Sequence, residues 1–220
     1  MVVHPVWDLP TRFIHWCFPL GIGFLWWTGE TGRMEWHSYG GYTLIVLVTT
    51  RFIWGFFGSF HSRFAHFVRG PNAVLAYLKA TPDAEPQSIG HNPLGAYSVL
   101  ALLFAILAQG LSGMFSIDDV AFDGPLAYYF GGEYIDLALQ WHDIGWVALQ
   151  ALIVLHLCAI AWYQVKKRRP LVQTMWFGSY AGRESGHAPV SGWRAILTVL
   201  TVSGVLAAAI FLAPEAPSYY

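Results

Sequence analysis

Charge is scarce in this chain of 220 residues. Charged side chains make up 11% of it, against roughly 25% in an ordinary soluble domain. Hydrophobic residues make up 55%. A soluble fold could not cover its surface with so few charges, which excludes a soluble enzyme and a disordered tail. The net charge of −1 supplies no basic footprint, so no nucleic acid is expected as a partner. Cysteine is nearly absent as well. Cys17 and Cys158 both fall inside apolar runs, which argues against a disulfide framework. The chain has no C-x-x-C and no C-x-x-C-H. That excludes a covalently attached c-type haem and a thiolate-held zinc or iron–sulfur centre. Met1–Arg12 lacks the basic start and compact apolar core of a signal peptide, so the first apolar run is expected to stay in the protein.

Long apolar runs and aromatic rings are abundant. A membrane-spanning helix needs roughly 20 mostly apolar residues. Five stretches qualify: Phe13–Gly29, Tyr39–Gly58, Leu94–Ile117, Ile144–Val165 and Ala195–Ala213. Only Arg51 interrupts them with a charge. Tryptophans near their ends (Trp26, Trp27, Trp36, Trp54, Trp141, Trp162 and Trp193) read as interfacial anchors. The chain is therefore expected to be an all-α integral membrane protein with the lipid bilayer as its first partner.

Basic residues set the expected orientation. Arg63, Arg69 and Lys79 follow the second run, and Lys166, Lys167, Arg168, Arg169, Arg183 and Arg194 follow the fourth. Arg12 precedes the first. The alternate connections are acidic, with Glu30, Glu35, Asp118, Asp119, Asp123, Glu133 and Asp136 against Arg33 alone. The positive-inside rule then puts the N-terminus in the cytoplasm and, after five spans, the C-terminus in the periplasm. Residues 1–170 read as a four-helix core. Residues 171–220 read as a cytoplasmic connector and a fifth transmembrane helix.

Histidine carries the chemistry. Ionisable side chains at membrane depth are rare and usually functional. Four lie in or beside the expected spans: His15, His37, His142 and His156. His142 and His156 are 14 positions apart. That leaves them about 40° from eclipsed and roughly 21 Å apart along one helix face. One metal could not reach both. His15 matches His156 in depth, and His37 matches His142. Each level thus offers two imidazoles from different helices, which suits the two axial positions of a haem b iron. Gly40 and Gly145, one turn beyond His37 and His142, would leave bare backbone for a flat macrocycle. Arg12 and Arg51 are placed to pair with anionic propionates or to snorkel to the interface. Gln109 and Ser112, both in the third run, could bond a quinone carbonyl or make a helix–helix hydrogen bond. His4, His61, His66, His91 and His187 read as loop residues, though one of the inner-surface set could replace His15.

Several stretches resemble one family. Asp8–Trp16 (DLPTRFIHW) resembles the first-helix signature of the prokaryotic cytochrome b561 family, itself similar to the b-type cytochrome subunits of nickel–iron hydrogenases. Met34–His37 (MEWH) with Gly41, Arg51–Gly58 (RFIWGFFG), Arg63–Pro71 (RFAHFVRGP), Gly90–Gly95 (GHNPLG) and His156 extend the likeness over roughly residues 6–178. The resemblance implies a four-helix bundle holding two haem b groups, in the bacterial inner membrane. It implies electron transfer between a periplasmic protein, a c-type cytochrome or a hydrogenase, and the quinone pool. A quinone is then a candidate substrate, quinone oxidoreductase activity a candidate reaction, and a homodimer an open assembly. By position it maps the iron ligands onto His15, His37, His142 and His156. Two other readings fit the histidines less well: a transporter or proton relay whose imidazoles titrate, and a structural anchor for a peripheral enzyme. Neither accounts for the paired depths.

Overall fold

A computed structural model describes residues 4–79, 90–117, 122–129, 132–180 and 184–214. Among these the fold is all-helical. The elements are α1 (Leu9–Glu30), α2 (Met34–Phe57), α3 (Phe64–Phe67), α4 (Pro71–Lys79), α5 (Pro93–Phe115), α6 (Gly132–Val165), α7 (Leu171–Phe177) and α8 (Trp193–Phe211). The four core runs and the C-terminal run all appear as helices, with shifted ends. The largest shift is at α6, which starts 12 residues before Ile144 because Asp136 and Asp143 interrupt its apolarity without interrupting its helix.

Among the described residues four helices are long and apolar enough to cross a membrane: α2, α5, α6 and α8. Helix α1 has the length, at 22 residues, but Arg12, His15, Pro19 and three tryptophans dilute its hydropathy. Its place rests on packing instead. Thr28 meets His37, Gly40 fits against Phe24 and Leu25, and Gly21 against Leu44. These pairings run in opposite senses along the two chains, so α1 and α2 form an antiparallel hairpin. One end of this hairpin carries Arg12, Arg51 and Arg63 and is called the basic end. The other carries Glu30 and Glu35 and is called the acidic end.

Helix α2 packs on α5, and α5 on α6. The buried centre is Leu44 and Val48 of α2, Leu103 and Ile106 of α5, and Leu149 of α6. Helices α1 and α6 do not form a packed pair among the described residues, which leaves a gap between them. Large apolar side chains point outward all round, among them Phe57, Phe104, Val147, Leu155 and Leu200. That is the surface of a chain whose solvent is lipid. Most of the boundary tryptophans are exposed as expected, but Trp54 is 2% exposed.

The reason for Trp54 lies at the basic end. Asp8 caps α1 by accepting from the Thr11 amide at 2.9 Å. Its other oxygen accepts from Trp54 Nε1 at 2.9 Å and Ser62 Oγ at 3.2 Å. One buried carboxylate therefore ties the start of α1 to the end of α2 and to the 3₁₀ turn at Phe60–Ser62. Burial alone would raise its pKa, but hydrogen bonds from Ser59, Thr11 and Trp54 hold the carboxyl below its ordinary value.

Residues after 170 fold back onto this same end. The Trp7 amide donates to the Gly178 carbonyl at 3.0 Å, and the Val190 amide to Ser59 Oγ at 2.9 Å. Helix α8 then packs along α2, and Tyr129 Oη donates to the Leu212 carbonyl at the acidic end.

Asp8→Asn should lower the thermal midpoint in detergent. The amide keeps the helix cap but turns an NH₂ toward a buried donor, at a cost of about 1–3 kcal/mol. Asp8→Ala should cost more, having lost the cap too. Since the folded pKa lies below the unfolded one, the carboxylate's contribution is complete above about pH 4 and drains away as the pH falls further. The wild type should therefore lose stability below that pH more steeply than either variant.

Candidate functional site

His37 stands in the first turn of α2, and His142 in the first third of the long α6. Their ring centroids are 6.2 Å apart, nearly perpendicular at 70°. Each ring is held by a backbone carbonyl of a neighbouring helix. His37 Nδ1 lies 3.0 Å from the Leu25 carbonyl on α1. His142 Nδ1 lies 3.0 Å from the Gln109 carbonyl on α5. A carbonyl oxygen only accepts, so each Nδ1 carries the proton and each Nε2 keeps a free lone pair. Thr28, 3.3 Å from His37 Nδ1, donates instead to the Phe24 and Leu25 carbonyls of its own helix.

The two holding sites share one construction. A glycine stands four positions after each accepting carbonyl: Gly29 after Leu25, and Gly113 after Gln109. A Cβ on Gly29 would lie 3.4 Å from His37 Nδ1, and one on Gly113 only 3.0 Å from His142 Cε1. The bare glycine lets the ring reach the carbonyl one turn back. This signal was present in the sequence but pointed at carbonyls rather than at side chains.

Gly40 and Gly145 serve a different purpose from the one their spacing predicts. The place of a Cβ on Gly40 is filled by Leu25 and Phe24, and on Gly145 by Gln109. Both allow close helix contact. Gly41 does face open space, and with Gly29, Gly110 and Gly113 it lines a cavity of about 340 Å³ that holds both His37 and His142. The cavity occupies the gap between α1 and α6.

At the basic end His156 of α6 and Arg51 of α2 both act electrostatically on His15 of α1. His15 Nδ1 is buried and has no hydrogen-bond partner among the described residues. In the antiparallel hairpin His37 is level with Thr28, 13 residues along α1 from His15, so the two levels are about 20 Å apart. The spacing of His142 and His156 is the same.

The arginines take distinct places. Arg51 is 5% exposed, donates from Nη1 to the Ser62 carbonyl at 3.3 Å and lies over Phe64. Arg12 bonds the Trp176 carbonyl on α7, and its buried Nε has no hydrogen-bond partner among the described residues. Gln109 Nε2 donates across to the His142 carbonyl on α6 at 2.9 Å, while its Oε1 is buried with no hydrogen-bond partner among the described residues, and Ser112 Oγ donates to the Gln109 carbonyl of its own helix at 3.0 Å. His91 is no loose loop residue. It packs against Trp7 and Phe67, and burial pushes its pKa down to about 3. His66 and His187 both lie against the Phe60 ring, His187 stacked on it and His66 tilted. No group of three or more His, Cys, Asp or Glu is gathered to hold a metal among the described residues, so pairs are the arrangement to explain.

The chain matches the family described as prokaryotic cytochrome b561 over residues 6–178. It belongs to that family. A relative from Bradyrhizobium diazoefficiens, described as "Probable Ni/Fe-hydrogenase B-type cytochrome subunit", is 24% identical over 167 residues. The match covers 67% of this chain and 66% of the relative, slightly under two thirds of its length. No solved structure matches the chain.

A b-type cytochrome family implies haem b, and the acidic-end pair fits that group. Two imidazole nitrogens each about 2 Å from a shared metal put the ring centroids about 6 Å apart, close to the 6.2 Å found. The protonated Nδ1 atoms, held by carbonyls, are the outer partners that metal-bound histidines need. At the basic end the fit rests on a different observation, a buried His15 Nδ1 with no hydrogen-bond partner among the described residues.

Gly113→Ala should push the His142 ring by a few tenths of an ångström and perturb the acidic-end site. The check is a visible spectrum of the purified variant. Its haem absorption should weaken or shift, while Gly29→Ala, with its looser contact, changes it less. Equal, unchanged spectra would show that the ring does not ligate.

Proposed function

We propose that this member of the cytochrome b561 family is a membrane di-haem b cytochrome that moves electrons between its two faces. The observation that supports this most is the His37–His142 pair: two rings at ligation distance, each with Nδ1 tied to a carbonyl and Nε2 turned free. His37 and His142 would hold one haem, and His15 and His156 the other. Haem b, once bound, supplies a one-electron couple near the potential range its ligands and surroundings dictate. The chain does the rest. Leu25 and Gln109 orient the ligand rings, Gly41 and Gly113 make room, and the α1–α2 and α5–α6 contacts exclude water. Arg51 and Arg12 offer cationic groups for propionates at the basic end.

The orientation follows from the distribution of Lys and Arg. The basic end faces the cytoplasm and the acidic end the periplasm of the bacterial inner membrane. With α1 counted as a span there are five. Residues 1–170 form the haem-bearing core, and 171–220 a connector and the fifth helix. The acidic face suits a periplasmic redox partner with a basic surface, a c-type cytochrome or a hydrogenase subunit, and the quinone pool is the other terminus. Quinone oxidoreductase activity belongs to this reading.

A reduced-minus-oxidised spectrum with haem counted per chain tests it. The expected count is about two haem b in the wild type, falling to about one in either His142→Ala or His156→Ala. A colourless preparation from haem-replete cells would replace the reading with histidine-based proton transfer. Docking at the acidic face has its own test. Electron exchange with a small basic c-type cytochrome should slow markedly from low to high salt, because exposed charges beyond a Debye length of about 10 Å at 0.1 M are screened. Rates flat across that range would rule the acidic face out.

A further inference from the structure

The gap between α1 and α6 is bridged at the basic end by α7. On one side Gln164 Nε2 of α6 donates to Gln173 Oε1 of α7 at 2.7 Å. On the other, Arg12 of α1 donates to the Trp176 carbonyl, and the Trp7 amide to the Gly178 carbonyl at 3.0 Å. Gly178 ends α7 at φ 87°, and a Cβ there would lie 3.0 Å from both Arg12 Nη1 and the Trp7 carbonyl oxygen. Glycine lets the bridge close this tightly on α1.

Three aromatic rings cross the junction in a row. His15 meets Trp16 edge to face, with ring centroids 5.1 Å apart. Trp16 meets Trp176 in the same way, also at 5.1 Å. The row ends on the outside of the bundle, where Trp176 is 58% exposed and its neighbour Phe177 64%. Around a membrane bundle that outside is lipid and headgroup. The Trp16 Nε1–H is buried with no hydrogen-bond partner among the described residues.

Electron tunnelling weakens steeply across empty space and less steeply across touching rings. The row from His15 to a lipid-exposed indole is therefore a short exit from the basic-end level. A flat ring dissolved in the membrane can stack on that indole, and a carbonyl on it can accept from Trp16 Nε1. We infer that Trp16 and Trp176 form the electron exit of the basic end, and that the outer face of α7 is where a quinone docks. This rests on the di-haem reading above and names the place where the quinone pool meets the chain. Reduction of one quinone takes two electrons, one from each haem of the reduced chain, and two protons from water at the basic face, and yields one quinol. Trp16 and Trp176 shorten the path and undergo no net oxidation or reduction.

The test follows reoxidation of the dithionite-reduced, haem-loaded chain by a decyl-substituted benzoquinone over a range of concentrations, with haem counted in each sample. Trp176→Ala should raise the half-saturating quinone concentration about tenfold, the worth of one stacked ring. Trp176→Phe should restore most of that. Trp16→Leu should lower the maximal rate, and Trp16→Phe should keep most of it. Trp193→Ala removes another exposed indole at the same end and should change neither quantity. Oxidation by ferricyanide, which takes electrons at water-exposed edges, should be alike in all of them. The inference is overturned if Trp176→Ala and the wild type share one maximal rate and one half-saturating concentration. It is also overturned if ferricyanide slows in step with the quinone, because the rings then act on the haem site and not on the exit. Should Trp16→Leu lose haem, the exposed Trp176 decides alone. Both overturning results leave the di-haem reading standing. Two haems that the quinone does not oxidise would remove the quinone from that reading and the inference with it.

Discussion

The register of α1 against α2 is the constraint on which the rest depends. Two buried polar contacts set it, one at each end. At the basic end Asp8 joins Thr11, Trp54 and Ser62. At the acidic end Thr28 and the Leu25 carbonyl receive His37. In a low-dielectric interior an unpaired donor or acceptor is expensive, so neither contact can slip by a residue without leaving several groups unmet. With that register held, His37 comes to face His142 across the gap that α1 and α6 leave open.

The same rule explains why glycine matters where it does. A helix spends its carbonyls on its own amides, so a ring from another helix can use one only where the covering side chain is missing. Gly29 and Gly113 provide that access. Gly40 and Gly145 sit where side chains of a neighbouring helix fill the place of a Cβ, and their small size is used for packing. Equal residue types thus do unlike things, and only the neighbouring helix decides which.

Much of the fold was legible from composition. Scarce charge and long apolar runs marked the helices, and histidine spacing on α6 marked two levels. What was hidden had physical causes. The start of α6 was concealed because Asp136 and Asp143 break an apolar pattern without breaking a helix. Trp54 looked like an interfacial ring, since nothing local reveals the carboxylate 46 residues away that buries it. The carbonyl supports of His37 and His142 are backbone atoms, which sequence periodicity cannot single out. The packing of α8 on α2 and the return of residues after 170 to Ser59 and Trp7 are long-range contacts with no local signature. The His91 packing against Trp7 and Phe67 is of the same kind.

The central claim is that one iron sits between His37 and His142 and another between His15 and His156. Anomalous diffraction at the iron edge, on crystals of the haem-loaded chain, tests this most directly. Two iron positions about 20 Å apart along the bundle, one between each histidine pair, are the predicted result. A single position, or iron bound away from either pair, would contradict it.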